Sequence, residues 1–521
     1  MTAPILAAMQ AAAIPRVGGV ATPAAMVAYL AVIAVIAAWA TRRTRNAADF
    51  FVAGRTLGTV VLGVSAMAAT LSGFTFIGGP GLFYGLGATA LFIVLPASLT
   101  NTLGAWTLAR PLHDLGRTHG VITIPGAIGA RYGSRGAQGW AAAAILVALV
   151  GYIATNFLAL GYVLSAVFGV GLSAGIWIGA AAVLAYTVAG GILAGVYADV
   201  FQGTVMAVAS AAACWYALRS GGGLGGISRT LAGSDASLLS PWGAGGAITA
   251  LSWFFVFGVG SLAQPHIAHK YLMARDVERF RWYPLVMTVA MTITLLLYLT
   301  VGVAVKAMVV RGAIPPLARN DDAMPAFLVH AVPVALAGVV FAGVAAAIMS
   351  TVNSFLSVGA AALMHDLPQA LGRAPSNELA RGRVATVALA LAAVAVAHAP
   401  GAQVAFLGVF GYGLFASTLV PALAVGLNWP GATARGAVAS IATGLVITLA
   451  GETASYAEWY RPPAGVPWSG LALVASTLVF VAGSATSGPR ASLRSAGSTH
   501  RRSRTGAGGF PSAETGTSRT A

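Results

Sequence analysis

Apolar segments of about 20 residues recur along the chain, each bounded by a short polar loop. A helix of that length matches the hydrocarbon thickness of a bilayer. The pattern therefore predicts an all-α polytopic membrane protein with about thirteen transmembrane helices. The ninth segment is too long for one span, so a short interfacial helix is predicted near 324–331, before a membrane helix that starts near Pro333. The segments lie near residues 22–41, 57–79, 82–109, 140–168, 172–191, 196–218, 244–268, 283–306, 325–365, 383–399, 402–427, 430–451 and 467–487.

Two of these segments are interrupted by residues that do not suit an unbroken helix. In the second segment, Ser72 and Gly73 stand mid-span, and the glycine-rich stretch 78–81 is predicted to end it. Irregular backbone within a bilayer survives only where protein buries it or where it lines a cavity. Interrupted spans at matching places in two halves indicate an inverted repeat with a binding site between them; a kinked, tightly packed helix is the alternative. The interrupting residues of the seventh segment are Gly258, Gly260, Ser261 and Pro265.

The spacing of the interrupted segments divides the chain. They lie five segments apart, so each opens a block of five spans, and the odd spacing gives the two blocks opposite orientations. Five parts are predicted: residues 1–56 as the first span and a cytoplasmic loop, 57–218 and 244–427 as the two five-helix repeats, 428–487 as two peripheral helices, and 488–521 as a disordered basic tail.

Composition and charge agree with a membrane location. Of 521 residues, 58% are hydrophobic and 8% are charged, against about 25% charged in soluble domains. The net charge of +16 does not indicate nucleic-acid binding, because the basic residues are spread over short loops. With the amino terminus outside, 22 of the 29 Lys and Arg residues fall on the inner side, which predicts a cell-membrane protein with a cytoplasmic carboxyl terminus. The basic tail is expected to contact anionic lipid.

The ninth segment carries two adjacent hydroxyls, Ser350 and Thr351, in a run of Ala, Val, Ile and Met. A hard cation such as Na⁺ takes oxygen ligands, and hydroxyls with unwound carbonyls supply them without a buried charge. In the alternative, both hydroxyls bond back to carbonyls one turn earlier.

Four motifs resemble those of the sodium/solute symporter family, which includes sodium/proline, sodium/pantothenate and sodium/glucose cotransporters. They occur in the family's order and cover most of residues 20–430. The motifs are DFFVAGRTLG leading into SAMAATLSGFTFIGGPGLFYGLG, then GGILAGVYADVFQG, QPHIAHKYLMARD, and AAAIMSTVNSFL followed by HDL.

The resemblance implies a leucine-transporter-type fold of five plus five inverted helices with flanking helices, and a transporter rather than an enzyme. It implies Na⁺ as the coupling ion, with no other cofactor. The implied sodium ligands are the carbonyls of Ala68, Leu71 and Ala347 and the hydroxyls of Ser350 and Thr351.

Between the second and seventh segments we expect a solute site. Relative to the sodium/proline pattern, Thr70 stands in place of an aspartate, and Phe257 and Ser261 in place of a tryptophan and a tyrosine. These departures count against proline as the solute. The expected lining is Thr70, Ser72, Gly73, Phe74, Phe257, Ser261, Gln264 and Pro265.

No charged residue falls in these two stretches, so a doubly charged solute would enter low dielectric almost unpaired. A monocarboxylate or an amino acid is therefore predicted, and the protein is predicted to be a sodium-coupled symporter working by alternating access. The alternatives are a proton-coupled symporter and a solute sensor with a separate signalling partner.

Three further polar residues are given structural roles. Asp199 matches an acidic residue usual in the family and is expected to cap a helix or to pair with a loop arginine. For His266 and His269 an interfacial packing role is favoured over proton transfer.

Overall fold

A computed structural model describes residues 19–42, 58–243, 246–274, 282–373, 377–399, 404–460, 462 and 466–486. The predicted first loop near 42–56 lies almost wholly outside these residues, and the predicted tail 488–521 lies entirely outside them. Within them the regular elements are helices, as the apolar pattern predicted. The α-helices are α1 (Ala21–Thr41), α2 (Thr59–Thr70), α3 (Gly79–Leu86), α4 (Leu91–Thr118), α5 (Ile124–Tyr132), α6 (Arg135–Phe168), α7 (Leu172–Gly221), α8 (Gly223–Ser234), α9 (Gly246–Leu262), α10 (Pro265–Met273), α11 (Tyr283–Val310), α12 (Ala323–His330), α13 (Val334–Ala361), α14 (Leu367–Ala370), α15 (Glu378–Ala397), α16 (Val404–Leu419), α17 (Gly426–Asn428), α18 (Ala434–Tyr456) and α19 (Trp468–Ala485).

Shorter helical turns join these elements. Three are 3-10 helices, Gly87–Ala90, Ala236–Leu239 and Asn320–Asp322. Three are π-helices, Phe74–Gly78, Ala362–Asp366 and Val420–Val425. Among the described residues, ten helical stretches are long and apolar enough to cross a membrane, and three shorter ones are also apolar. This confirms an all-helical protein with many membrane spans. The separate helix α12 and the start of α13 at Val334 also agree with the prediction for the ninth segment.

The first interrupted segment is broken in its middle. Helix α2 ends at Thr70, and Leu71 is extended, with φ −80° and ψ 108°. The chain then resumes as a π-helix that continues into α3. The prediction that the stretch 78–81 ends this segment is wrong: Pro80 lies at the start of α3, and the helical run continues past it. The segment ends instead at Gly87, whose φ of +58° suits glycine.

The second interrupted segment breaks later than predicted. Helix α9 runs through Gly258 and Gly260, and the break falls at residues 263–264, just before Pro265 opens α10. The two glycines serve close packing instead. A Cβ on Gly260 would lie 2.9 Å from the carbonyl oxygen of Tyr412. A Cβ on Gly258 would lie 2.8 Å from the Pro96 side chain.

The two halves of helix α7 contact α13 at different heights. Along its first half, Tyr186 donates to the Met349 carbonyl at 2.5 Å. Along its second half, Gly195 abuts the Asn353 side chain, while Ala209 lies against Gly343. The contacts run up α13 and then back down it, so the helix bends between its halves. The predicted segments 172–191 and 196–218 therefore fall within one helical element, which bends between them.

The 3-10 helix Asn320–Asp322 packs on α3 through glycines. A Cβ on Gly81 would lie 2.8 Å from the Asn320 carbonyl oxygen, and one on Gly85 would lie 2.7 Å from the Asn320 amide nitrogen. Any larger residue at either position would lift the loop from α3.

Asp321 in this loop is buried. Its carboxylate accepts a hydrogen bond from the Val404 N–H at 2.9 Å, at the start of α16. Burial raises the pKa of the Asp321 carboxyl to about 6, because desolvation and the neighbouring Asp322 carboxylate outweigh the Val404 hydrogen bond and the charge of Arg319.

Candidate ion and solute site

The end of α2 and the middle of α13 bring five uncharged oxygen atoms together. The Ser350 hydroxyl donates to the Ala68 carbonyl at 2.6 Å and lies 3.4 Å from the Ala347 carbonyl. The Thr351 hydroxyl lies 3.0 Å from the carbonyl oxygens of both Leu71 and Ala347. The last four carbonyls of a helix have no partner within it, so the break after Thr70 turns backbone oxygens of α2 toward α13.

Thr351 has more oxygen neighbours than its single proton can serve. Its hydroxyl lies 3.0 Å from the carbonyl of Ala69 as well as from those of Leu71 and Ala347. A hydroxyl donates one hydrogen bond, so two of the three contacts set lone pairs against lone pairs. A cation among these oxygens would relieve that repulsion. The hydroxyls thus make both kinds of contact considered above, the bond to the preceding turn and the approach to α2.

The chemistry of this oxygen set fits Na⁺. Hard cations prefer carbonyl and hydroxyl oxygens, and both hydroxyl residues are fully buried. A charged ligand is not required, because an ion of single charge is shared among several dipoles. The oxygens of all five predicted sodium ligands therefore lie close together. These residues are Ala68, Leu71, Ala347, Ser350 and Thr351.

On the other side of the break, α6 holds the backbone of the first residues after Leu71. The Gly73 N–H donates to the Asn156 amide oxygen at 2.8 Å, and the Ser72 hydroxyl lies 3.4 Å from the Tyr152 hydroxyl. The Ser72 N–H donates to the Thr75 hydroxyl at 3.0 Å. The backbone N–H groups of Ser72 and Gly73 therefore both have side-chain partners.

An aromatic cluster lies between the two broken segments. The Phe74 and Phe257 rings stack with centroids 5.8 Å apart, and the Tyr412 ring lies 5.0 Å from Phe257. The Tyr152 ring meets Tyr412 edge-on at 5.5 Å. The Tyr412 hydroxyl interacts with the side chains of Gln264, Ser261 and Tyr152. The cluster thus joins α6, α9 and α16 to the first break.

The predicted solute lining is brought together, but in a closed form. Pro265 is buried at the start of α10, and every other lining side chain is 5% exposed or less. Two hydroxyls turn into their own helices: Thr70 donates to the Ala66 carbonyl at 2.8 Å, and Ser261 donates to the Phe257 carbonyl at 2.8 Å. In this conformation the predicted lining is therefore buried, and two of its hydroxyls already have partners.

Three residues of this site were missed by the sequence reading: Tyr152, Asn156 and Tyr412. Tyr152 and Asn156 stand one turn apart on α6, and the Asn156 amide donates to the Tyr152 carbonyl at 2.8 Å. A polar pair at that spacing in an apolar span was the available signal, because intramembrane amides are rare and usually face the bundle interior.

Asp199 has a partner that was not expected. It neither caps a helix nor meets a loop arginine; it lies inside α7 and pairs with Lys270 of α10 at 3.2 Å. Lys270 was counted among the inner-loop cations, yet its side chain is fully buried. Moving it from that count leaves the charge asymmetry intact.

His266 and His269 are buried as well, which agrees with a packing role. The His266 ring meets Phe355 edge-on at 4.3 Å. The Nε2 atom of His269 lies 2.8 Å from the Ile122 carbonyl oxygen. Both side chains therefore pack inside the bundle.

Comparison with known proteins identifies the family. The model of the sodium:solute symporter family matches residues 50–444. A sodium/pantothenate symporter of Escherichia coli (strain K12) is 29% identical over 410 residues, covering 77% of this chain and 83% of that protein. The high-affinity proline transporter PutP of Bacillus subtilis (strain 168) is 26% identical over 421 residues, covering 78% of this chain and 86% of that protein.

Solved structures show the same fold. The substrate-bound outward-open state of a Na⁺-coupled sialic acid symporter matches with a TM-score of 0.74 at 17% identity, covering 91% of this chain and 100% of that one. Mhp1, a nucleobase-cation-symport-1 family transporter in a closed conformation, matches with a TM-score of 0.51 at 15% identity, covering 85% and 96%. Because the family model spans well over half of the chain, this protein belongs to the sodium:solute symporter family.

Proposed function

We propose that this protein imports a small organic solute together with Na⁺ by alternating access. The observation that carries the proposal is the convergence of the Ser350 and Thr351 hydroxyls with the orphan carbonyls of α2. The ion binds at the first break, between α2 and α13, and the solute binds on the other side of the same break. An ion held by the unwound backbone fixes the conformation of Ser72 and Gly73, which face the solute, so binding of one favours binding of the other.

The solute we propose is a monocarboxylate or a zwitterionic amino acid. The groups that line the site are hydroxyls, amides and aromatic rings, and none of the predicted lining residues is charged. A single carboxylate is stabilised by the amino-terminal end of the helix that follows the break, where it replaces Asn156 at the Gly73 N–H. The donors of Tyr152, Tyr412 and Gln264 complete its shell. A sugar would need more polar partners than this lining offers.

We further propose the arrangement that alternating access needs. Ten of the thirteen spans form two five-helix repeats of opposite orientation, with the amino terminus outside the cell membrane and the carboxyl terminus in the cytoplasm. The Lys and Arg asymmetry supports this orientation. Phe257 acts as an apolar lid over the solute, because its ring stacks on Phe74 at the break.

The test is a thermal-shift screen of purified protein with small acids, amino acids and sugars, run in Na⁺ and again in K⁺. A ligand that binds only the folded state raises its stability according to its concentration and affinity. We expect an acid or amino acid to stabilise the protein in Na⁺ alone. Equal stabilisation in K⁺ or at low pH without Na⁺ would contradict sodium coupling.

A further inference from the structure

A buried ion pair lies one helical turn from the proposed sodium site. The ammonium of Lys270 is 3.2 Å from the Asp199 carboxylate, and the two side chains are 0% and 1% exposed. Ser65 joins them: its hydroxyl donates to Asp199 Oδ2 at 2.5 Å and accepts from Lys270 Nζ at 2.5 Å. Ser65 precedes Ala68 by three residues of α2, about 4.5 Å along the helix axis.

The surroundings of Asp199 hold more oxygen than the pair uses. Among the described residues, Asp199 Oδ1 and Asn353 Oδ1 have no hydrogen-bond partner. The Asn353 amide abuts Gly195, which lies one turn before Asp199 on the same face of α7. Carboxylate, amide and hydroxyl oxygens are the ligands of hard cations. Unpartnered buried oxygens beside a carboxylate thus form a setting that favours positive charge.

In this setting the charge is supplied by the protein itself. A buried carboxylate without a partner is strongly destabilising, so Asp199 needs a cation in every state of the transport cycle. Lys270 provides one that is covalently attached and cannot leave. Resting on the sodium-coupled function proposed above, we infer that the Lys270 ammonium holds the place that a second transported cation would take beside Asp199. The cycle then carries one Na⁺ and not two.

Removing the charge of Lys270 should create a sodium site beside Asp199. Lys270→Met keeps the length and most of the volume of the side chain but removes its charge. Asp199 is then left beside the oxygens of Ser65 and Asn353 with no cation. A Na⁺ ion from solution restores neutrality, so this variant gains a sodium site. The double variant Lys270→Met with Asp199→Asn has no buried carboxylate, so it needs no cation there. Its two side chains are neutral and close in volume to the original pair.

The experiment measures binding of radiolabelled Na⁺ to the purified protein at equilibrium, without solute. We expect one ion per chain in the wild type, and none after Ser350→Ala. Lys270→Met should bind two ions, and Lys270→Met with Ser350→Ala should bind one. Lys270→Met with Asp199→Asn, and Lys270→Arg as the charge-conserving control, should each return to one ion.

Two results would overturn the inference while sodium coupling stands. One is a single ion bound by Lys270→Met. The other is a wild type that binds two ions and loses one on Asp199→Asn, since the carboxylate would then hold a free cation despite Lys270. Should Lys270→Met fail to fold, Asp199→Asn alone decides: one ion, unchanged from the wild type, supports the inference. A wild type that binds no Na⁺ contradicts the proposed function itself.

Discussion

Removing the Thr351 hydroxyl should weaken Na⁺ binding without unfolding the protein. Thr351→Val keeps the branched shape of the side chain and deletes the oxygen that lies 3.0 Å from three carbonyls. The ion loses one ligand, and the one carbonyl that accepts the hydroxyl proton loses its donor. A tenfold loss of Na⁺ affinity corresponds to about 1.4 kcal/mol, which is within the range of one charge-assisted contact. We expect a loss of at least that size.

The assay is the Na⁺ concentration at which the melting temperature of the purified protein shows its half-maximal shift. Thr351→Ser retains the hydroxyl and should stay close to the wild type. Thr386→Val is the matched control, because Thr386 is equally buried and donates to its own helix at the Gly382 carbonyl, 2.8 Å away. A wild-type Na⁺ dependence in Thr351→Val would refute the site, as would an equal loss in Thr386→Val.

Three further predictions concern topology, solute and pH. A reporter fused at Ala521 should be active only in the cytoplasm, and activity outside would reverse the proposed orientation. Phe257→Ala should raise the KM for solute more than the KM for Na⁺ in proteoliposome uptake; preference for a hexose or a dicarboxylate would instead reject the solute class. The folded-state pKa of Asp321 is raised to about 6. Ionisation of Asp321 therefore lowers the free energy of unfolding as the pH rises from about 4 to above 6, by up to about 3 kcal/mol. Asp321→Asn should therefore melt higher than the wild type at pH 7 and converge with it near pH 4; parallel melting curves across this range would contradict the assignment.

The two breaks show what local sequence can and cannot predict. Ser72 and Gly73 mark the first break correctly, because a polar residue next to a flexible one in the middle of a membrane-spanning helix indicates an interruption. The interruption predicted at Gly258 and Gly260 was wrong, because glycine also lets two helices approach closely. The contacts with Pro96 and Tyr412 that require glycine here come from helices distant in sequence. Only Pro265 of the second set stands at the break, because it lacks the donor that an unbroken helix needs.

The polar partners of the site could not be predicted from the sequence for a different reason: they come from residues far apart along the chain. Lys270 follows the break in α10 and looks like a cation at the membrane boundary. Its burial depends on Asp199, 71 residues away, and on Ser65, 205 residues away. No local pattern encodes such pairings. Tyr412 likewise reaches the predicted solute lining from α16, a helix whose apolar run gives no sign of this contact.

The neutrality of the oxygen set at the first break has an electrical consequence. The five ligands carry no formal charge, and the nearby Lys270 and Asp199 cancel each other, so the empty site crosses the membrane field without doing work. A loaded site carries only the charge of its cargo. One Na⁺ with a zwitterion moves one elementary charge, which a potential of 100 mV drives with about 2.3 kcal/mol. One Na⁺ with a monocarboxylate moves no net charge, so uptake of that solute produces no current and does not depend on the membrane potential.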